Sequence, residues 1–533
     1  SIRKNINKSK VYEISNRAIA IKKAIFDLKT GDILIVAGKG HEKIQEYKKR
    51  KKLFSDQQQI LKNITIKNKT LSNNLKLNIL RELSNSKNIS SKLEIKNASI
   101  DSKEIKKNNI FFAIKGKNKD GNLFVKEAFT KGASIAIVNN QKPSKKKIVV
   151  KDTLEFLTET SSLIRENLSC KIISITGSCG KTSLKELIGR SLNKISQASY
   201  SPKSFNNKFG VPLSLFNIKK NDAFGVFEIG MDKKGEIDYL SKITKPDVGV
   251  ITNISYAHIK NFKNINEIAL AKSEIIKNIK DDGYLVLNKD DKFYKFHKKI
   301  ALSRNLKILS FSLKNKSATT NLDSISKEKS KYKISININK KKKYFYSSSF
   351  FENDIKNLLA TITIISIFIN IHKLDKNIFY DHKITNGRGD IMKVKLFNKF
   401  FYLVDESYNS NPLSLKSALK NFDMIKIDDS KKHLVLGDML ELGKYSTKLH
   451  IAMGKSINKT SLKNVNVIGK HIKLTFNNIN KNKKGIILKK KSQIIDLIKN
   501  TLNNNDYLMI KGSNSTGLNI LANQIKTGKI SAL

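Results

Sequence analysis

Cysteine is scarce in this chain: only Cys170 and Cys179 occur among its 533 residues. Two cysteines cannot make a disulfide framework, so the secreted folds that depend on several disulfides are excluded. We therefore expect a reducing compartment, the cytoplasm. The length allows three or four domains, each with its own buried core. The first residue is Ser1 and not methionine, from which we expect a fragment or a processed product.

A long hydrophobic run is also missing. The longest apolar stretch extends from Leu358 to Ile371, and Thr361, Thr363 and Ser366 interrupt it. A bilayer span needs roughly 20 predominantly apolar residues, so this stretch predicts a buried helix instead. No signal-peptide pattern is visible. We expect no membrane insertion.

Acidic residues and arginine are few beside lysine. Lys and Arg number 102 against 45 Asp and Glu, which gives a formal net charge of +57 at pH 7. Such a charge is typical of nucleic-acid-binding proteins. The lysines, however, are dispersed through predicted strands and loops alike, and the arginine forks that nucleic-acid readers prefer are rare. We interpret the charge as drift toward AT-rich codons and expect no nucleic-acid partner.

A phosphate-binding loop is indicated by SITGSCGKTS at residues 174–183. The common loop has a glycine where Ile175 stands here, so this loop is of a shorter type. The run KIISITG before it predicts a buried strand, and SLKELIGRSL after it has helical spacing. Glycines let backbone amides face phosphates, Lys181 adds a cation, and Thr182 offers a hydroxyl to Mg²⁺. The loop residues predicted to bind nucleotide are Gly177, Ser178, Cys179, Gly180, Lys181, Thr182 and Ser183.

Alternation of strand-like and helix-like segments predicts an α/β fold with mostly parallel, doubly wound sheets. IFFAIKG (110–116) and ASIAIVNN (133–140) predict strands around a helix at 124–133. Further strands are predicted from AFGVFEIG, DVGVITNI and GYLVLN and, beyond residue 390, from FYLVDESYN, KHLVLGDM, VNVIG, GIILKK and DYLMIKGS. Within 303–350, KYKISININKKKKYFYSSS alternates with period two and predicts an antiparallel hairpin.

Ordered motifs along residues 64–533 resemble the Mur ligase family. They are DSKEIKKNNIFFAIKGKNKDGNLF, TGSCGKT, FNNKFGVPLSL, FEIGMDKKGEIDYL, ITNISYAHIKNF, AKSEII, LNKDD, DESYNSNPLSLKSAL, LGDMLELG and KGS. The resemblance implies a three-domain α/β fold with a central P-loop parallel sheet and a C-terminal Rossmann-like domain. The implied domains are a UDP-substrate-binding domain at 64–168, a central ATP-binding domain at 169–385 and a C-terminal ligase domain at 386–533.

The segment DESYNSNPLSLKSAL implies a particular reaction within this family. D-alanyl-D-alanine is joined to UDP-N-acetylmuramoyl-tripeptide in peptidoglycan precursor synthesis, after ATP has converted the peptide carboxylate to an acyl phosphate. ATP and two Mg²⁺ ions are the implied cofactors, because several negative charges share one small site. A monomer is expected, and the third residue of the tripeptide stays open.

The resemblance also implies roles for individual residues. Those implied to be catalytic are Lys181, Glu228, His258, Lys272 and Arg388. Those implied to hold metal are Thr182, Glu228, His258 and Lys272. The nucleotide contacts implied beyond the loop are Asn288, Asp291, Arg388, Asp405, Tyr408 and Asn411, and the substrate contacts are Asp101, Ser102, Asn206 and Asn207.

Lys272 is implied to be the lysine that can be carbamylated in this family. Ala269, Ala271 and the apolar residues that follow predict a partly buried helix, which favours loss of the ammonium charge. Arg388 is implied to reach the phosphates from the junction with the last domain, a task that the arginine fork suits better than lysine. The family usually has GxHN where FEND (351–354) stands, and arginine where Asn514 follows KGS.

Two other classes of function are alternatives at this point. A basic P-loop ATPase acting on nucleic acid predicts arginine fingers and clustered charge, whereas lysine is dispersed here and SYNSNP is present. A non-catalytic scaffold with the ligase fold is disfavoured because the implied catalytic residues are intact.

Residues 1–63 resemble the C-terminal end of another family member, the tripeptide-forming ligase that usually adds meso-diaminopimelate. RAIAIKKAI (17–25), GDILIVAGKGHEKIQ (31–45) and LFSD (53–56) provide this resemblance, and Gly38 and Glu42 would help to hold the amino acid. We expect the downstream part of a two-ligase fusion, with a mis-joined reading frame as the alternative. GDILIVAGKGHE predicts a buried strand and a glycine turn, and the polar text after Asp56 predicts a junction.

Overall fold

The computed structural model describes residues 13–28, 32–38, 42, 44–47, 50–86, 88–116, 118–219, 221–380 and 386–529. The chain divides into two compact units. The first comprises Ser1–Ser169 and Phe216–Asn221, and the second comprises Cys170–Leu215 and Asp222–Leu533.

The beginning of the first unit is built from two helices and a hairpin. Helix α1 (Arg17–Asp27) is followed by the antiparallel strands β1 (Ile44–Tyr47) and β2 (Arg50–Leu53) and by helix α2 (Asp56–Leu83). Ser55 caps α2, and the Asp56 carboxylate pairs with Arg17 of α1. Lys67 of α2 donates to the carbonyls of Ile25 and Leu28, which end α1.

Two expectations for this beginning are wrong. Residues 32–37 are not a strand, and Ile33 and Ile35 are 89% and 83% exposed. A buried strand needs neighbouring strands on its edges, and none of the described strands pairs with this segment. Residues 31 and 39–41 lie outside the described residues, so the glycine turn is only described at Gly38. The polar text after Asp56 is helix α2 and not an irregular junction; the predicted domain boundary after residue 63 falls inside it and stays a prediction.

The rest of the first unit is a small α/β domain. Its elements are β3 (Ala98–Ser99), β4 (Asn109–Phe112), α3 (Val125–Thr130), β5 (Ala133–Val138), β6 (Lys147–Val149) and α4 (Thr153–Glu166). The four strands form one parallel sheet in the order β3-β4-β5-β6. The strands predicted at 110–116 and 133–140 and the helix between them are confirmed.

The second unit begins with a nine-stranded sheet. Its elements are β7 (Lys171–Thr176), α5 (Lys181–Asn193), β8 (Ala198–Tyr200), α6 (Gly210–Phe216), β9 (Phe224–Glu228), α7 (Glu236–Thr244), β10 (Val248–Ile251), α8 (Ile265–Lys277), β11 (Tyr284–Asn288), α9 (Tyr294–Leu302), β12 (Lys307–Ser312), β13 (Thr320–Glu328), β14 (Lys331–Ile338), β15 (Lys341–Ser347) and α10 (Glu352–Ile365). The strand order is β15-β14-β13-β12-β11-β10-β7-β9-β8. Pairing is parallel from β8 to β13 and antiparallel from β13 to β15, so the predicted hairpin is confirmed. The stretch from Leu358 begins in α10, whose inner face is buried as predicted.

A second sheet of six strands completes this unit. Its elements are β16 (Asp390–Leu396), β17 (Lys399–Glu406), α11 (Pro412–Asp423), β18 (Lys432–Gly437), α12 (Ser446–Asn458), β19 (Val465–Ile468), α13 (Ile472–Asn477), β20 (Lys484–Leu488), α14 (Ser492–Asn500), β21 (Tyr507–Lys511) and α15 (Leu518–Thr527). The order is β16-β17-β21-β18-β19-β20, and only β16 pairs antiparallel. All five strands predicted here are confirmed.

One apolar core runs through both sheets of the second unit. It joins Ile268 and Ile275 of α8 to Leu415 of α11, Leu436 of β18 and Met453 of α12, all nearly inaccessible to solvent. The two sheets are therefore fixed against each other by continuous packing. Among the described residues, none of the helices has the length and hydrophobicity that crossing a bilayer requires.

Candidate active site

A cavity of about 500 Å³ lies in the second unit, where β7, β9 and β11 end. Parallel sheets commonly bind ligands beyond the carboxyl ends of their strands, because loops and helix N-termini converge there. The predicted residues that line the cavity are Ser178, Cys179, Gly180, Lys181, Thr182, Ser183, Asn206, Glu228, His258, Asn288, Asp291, Arg388, Tyr408 and Asn411. The structure therefore brings most of the residues implied by the sequence to one place.

The loop between β7 and α5 needs both of its glycines. Gly177 has φ +145°, and a Cβ there would stand 1.9 Å from the Thr252 hydroxyl oxygen. Gly180 has φ +82°, a left-handed conformation that side chains disfavour. Asn253 fastens the loop: its side-chain oxygen accepts from the Cys179 amide at 3.0 Å, and its side-chain nitrogen donates to the Cys179 carbonyl at 3.0 Å.

Lys181 is the first residue of α5 and curls back over the loop. Its ammonium donates to the Gly177 carbonyl at 2.9 Å. The cation therefore lies at the helix N-terminus, where the helix dipole also favours an anion.

A buried carboxylate lies beside the loop. Glu228 ends β9 and is 2% exposed. The Thr182 hydroxyl donates to one of its oxygens at 2.5 Å, and the Asn206 amide donates to the other at 2.7 Å. A carboxylate and a hydroxyl held together are the hard oxygen donors that Mg²⁺ prefers, so these residues fit a magnesium site.

Arg388 brings the segment before β16 to the loop. Its guanidinium donates to the Thr182 hydroxyl at 2.9 Å and to the Ser204 hydroxyl at 3.3 Å. The guanidinium carbon lies 4.1 Å from the centre of the Tyr408 ring, a stacking distance. Arg388 is thus held by a ring from the second sheet while its donors point at the phosphate loop.

Lys272 is buried in α8, with 2% of its surface exposed. Burial, and next the nearby charge of Lys181, hold the pKa of its ammonium well below the usual value. Among the described residues, none forms an ion pair or hydrogen bond with its nitrogen. Burial thus favours the uncharged amine over the ammonium, although Lys272 does not line the cavity wall. Its carbamylation stays a prediction.

His258 faces two carboxylates. Its Nδ1 lies 2.6 Å from Glu441 and 3.0 Å from Asp232. Asp232 is exposed, whereas His258 and Glu441 are partly buried. The close approach of His258 is the largest cause that lowers the pKa of Glu441 to about 2.

Several implied contacts have other partners within the fold. Asp405 is buried, away from the cavity lining, and its carboxylate accepts from Ser407 and pairs with Lys526. Asn207 caps α6 by accepting from the Gly210 amide at 3.0 Å. Asn411 caps α11 and also contacts the Cys179 sulfur. The nucleotide and substrate roles of these residues stay predictions.

Two of the implied substrate contacts lie in the first unit. Asp101 caps a short turn after β3 by accepting from the Lys103 amide at 2.9 Å. Ser102 is buried, and its hydroxyl donates to Glu127 at 2.7 Å. Asn288 and Asp291 lie at the end of β11 in the second unit, where Asp291 accepts from the Ile254 amide at 2.9 Å.

Sequence reasoning missed four residues of this site. They are Ser204, Asp232, Asn253 and Glu441. Asp232, Asn253 and Glu441 belong to the motifs FEIGMDKKGEIDYL, ITNISYAHIKNF and LGDMLELG, and their positions within these motifs are the only signal that could have found them. Ser204 acts through contacts with residues distant in sequence, which no local pattern reveals.

Models of Mur ligase domains match three parts of the chain. They describe the Mur ligase family catalytic domain at residues 94–164, the Mur ligase middle domain at 175–365 and the Mur ligase glutamate ligase domain at 388–514. These matches cover both sheets that form the cavity.

Two similar proteins from different organisms carry the same name. A UDP-N-acetylmuramoyl-tripeptide–D-alanyl-D-alanine ligase of Buchnera aphidicola subsp. Baizongia pistaciae is 31% identical over 439 residues, which is 81% of this chain and 93% of the relative. The ligase of that name from Rickettsia prowazekii is 29% identical over 81% of this chain and 95% of its own length.

Solved structures share the fold. The crystal structure of MurF from Acinetobacter baumannii superposes with a TM-score of 0.71 at 24% identity, covering 84% of this chain and 98% of that one. MurF ligase from Thermotoga maritima, solved in complex with ADP, gives a TM-score of 0.68 at 23% identity, covering 81% and 97%.

Proposed function

This chain belongs to the Mur ligase family, and on that premise we propose that it joins D-alanyl-D-alanine to UDP-N-acetylmuramoyl-tripeptide with the hydrolysis of ATP. The observation that carries the proposal is the meeting of the phosphate loop, Glu228 and Arg388 in one cavity. Relatives named for this reaction match along 81% of the chain. The reaction belongs to peptidoglycan precursor synthesis.

ATP binds with its phosphates on the loop between β7 and α5. The amides of the loop and the N-terminus of α5 face the phosphates, and Lys181 and Arg388 supply positive charge beside the loop. An oxygen of the peptide carboxylate attacks the γ-phosphorus, and ADP leaves. The amine of D-alanyl-D-alanine then attacks the acyl carbon, loses a proton and releases inorganic phosphate.

Thr182 and Glu228 are the residues that would hold one Mg²⁺, and His258 and Lys272 would hold a second. Burial lowers the pKa of Lys272 and so favours the uncharged amine, the form that would add carbon dioxide, with release of a proton, to give a carbamate that can bind a cation. When bound, the ions draw negative charge from the phosphate oxygens. The protein residues orient the phosphates and keep water from the acyl phosphate.

The remaining parts of the proposal concern location and partners. The protein acts as a monomer in the cytoplasm, where its nucleotide-linked substrate and ATP occur together. Residues 1–63 are the end of a tripeptide-forming ligase joined upstream. The uridine nucleotide is held by the first unit through the segment of Asp101 and Ser102.

Release of inorganic phosphate tests this function. We expect phosphate from ATP only when UDP-N-acetylmuramoyl-tripeptide and D-alanyl-D-alanine are both present, with one phosphate for each pentapeptide formed. Omitting either substrate is the control. Strong stimulation by RNA or DNA, with none by these substrates, would mean that the high positive charge reflects a nucleic-acid-dependent ATPase instead.

A further inference from the structure

The turn after β18 places a carboxylate on His258. Glu441 lies in this turn with φ +62°, and its Oε2 is 2.6 Å from His258 Nδ1. The other oxygen, Oε1, is 3.3 Å from the Lys260 ammonium. The carboxylate is thus held at both oxygens, with one of them directed at the imidazole.

A second carboxylate approaches the same nitrogen. Asp232, in the loop after β9, is 3.0 Å from His258 Nδ1. The Nδ1 atom has no solvent contact, and both approaches are bent, so it is paired by charge and proximity and not by a linear hydrogen bond. Both carboxylates make their shortest approach to the imidazole at Nδ1 and not at Nε2.

We propose that Glu441 and Asp232 are positioning residues that keep the proton of His258 on Nδ1 and leave Nε2 to bind a divalent cation. The inference rests on the proposed function, which assigns a cation to His258. An imidazole ligand commonly gives its second nitrogen to a carboxylate, which fixes the tautomer and the orientation of the ring. Glu441 follows a strand of the second sheet, and His258 follows a strand of the first. The packing of the two sheets therefore brings the carboxylate to the imidazole that would bind the cation.

The three side chains could instead surround an ion of their own. Ligand atoms about 2.1 Å from one octahedral ion stand about 3 Å apart or more. The 2.6 Å between Nδ1 and Glu441 is shorter than this, so the two atoms are too close together to be ligands of one ion. We therefore assign the cation to Nε2 and not to the space between Nδ1 and the carboxylates.

The fold allows the carboxylate of Glu441 to be tested without disturbing the turn. The Lys260 amide donates to the Glu441 carbonyl at 3.0 Å, and the Tyr445 hydroxyl donates to the Lys263 carbonyl at 2.5 Å. Both contacts join the same two segments, and neither uses the Glu441 side chain. Glu441→Gln therefore removes the charge and keeps the docking, whereas Tyr445→Phe removes one docking contact and keeps the charge.

Manganese binding, followed by electron paramagnetic resonance with a non-hydrolysable ATP analogue, tests the inference. We expect two Mn²⁺ ions per chain, the weaker of which loses at least about tenfold in affinity in Glu441→Gln, the usual size of such effects. Asp232→Asn has a smaller effect, because this side chain is exposed. Tyr445→Phe stays within twofold of the parent.

His258→Ala and the double variant with Glu441→Gln complete a cycle. His258→Ala loses the weaker ion, and adding Glu441→Gln changes nothing further. The inference is overturned if Glu441→Gln binds Mn²⁺ like the parent, or if the parent binds a single ion. It is also overturned if Glu441→Gln lowers Mn²⁺ affinity as much in the His258→Ala background as in the parent. Loss of binding in Glu441→Gln but not in His258→Ala would make the carboxylates the ligands, which also overturns it.

The same experiment separates the inference from the function. If the parent protein forms no pentapeptide but the Mn²⁺ pattern is as expected, the reaction is wrong and the role of Glu441 stands. If pentapeptide forms and Glu441→Gln keeps both ions, the reaction stands and the role of Glu441 is wrong.

Discussion

Gly177→Ala tests how closely the phosphate loop approaches the neighbouring strand. The new Cβ would meet the Thr252 hydroxyl oxygen at 1.9 Å, and φ is +145°. A disfavoured φ costs about 1–2 kcal/mol and overpacking costs about 1–3 kcal/mol, so the native loop becomes about 2–5 kcal/mol less favourable. The loop of the variant relaxes, and nucleotide binding must restore it. We expect ATP-analogue affinity to fall about 30-fold or more.

Gly235→Ala is the matched control for this variant. Gly235 has φ +90°, but nothing lies within 4 Å of an added Cβ. It therefore carries the backbone cost and no clash, and it lies outside the cavity lining. Isothermal titration calorimetry with the ATP analogue measures both variants, and we expect Gly235→Ala to bind like the parent.

Two results would refute the reasoning. Binding by Gly177→Ala within threefold of the parent would show that the loop tolerates a side chain at this position. Thr252→Ala removes the oxygen that the new Cβ meets, but it also removes the hydrogen bond from that oxygen to the Cys179 carbonyl, so Thr252→Ala alone is the reference. If Gly177→Ala lowers affinity as much in the Thr252→Ala background as in the parent, the clash with Thr252 is not the cause.

Three further predictions concern the chemistry and the beginning of the chain. Lys181→Ala should raise the barrier by at least ~3 kcal/mol through lost phosphate stabilisation; turnover within tenfold of the parent would contradict the loop assignment. Arg388→Lys keeps the charge but loses stacking on Tyr408, so kcat, measured as phosphate release, should fall by at least about tenfold. An unchanged kcat would show that the forked guanidinium is not required for the reaction. Deleting residues 1–54 leaves Ser55 to cap α2, and ligation of the folded variant should stay within threefold; a folded but inactive deletion would place these residues in the site.

The strands of this protein were predictable because most are buried in parallel sheets and therefore appear as short apolar runs. β7, β10 and β11 are examples, with KIISIT, VGVI and YLVLN almost wholly buried. The same reasoning failed for Ile33 and Ile35, since an apolar run predicts a strand only where other strands cover it. It also missed α2, whose lysines and asparagines hide the helical spacing of its apolar residues.

The candidate site was predictable only where its chemistry is concentrated in one segment. The loop around Lys181 was predicted to bind phosphate because glycine, lysine and threonine occur there at a fixed spacing. The contacts of Thr182 with Glu228 and Arg388 join residues far apart in sequence, and only the resemblance to a family suggested them. The turn of Glu441 could not be placed near His258 without the docking of the two sheets.

The apolar core shared by the two sheets of the second unit has a consequence for unfolding. Ile275 on one side and Leu436 on the other exclude water from the same interior, so neither sheet can lose its structure without exposing the other. We infer that the two sheets melt in a single cooperative transition. A truncated chain that ends near residue 385 and lacks the second sheet would expose this apolar surface and aggregate. The geometry of the catalytic cavity therefore depends on both sheets being folded and is lost when this cooperative unit unfolds.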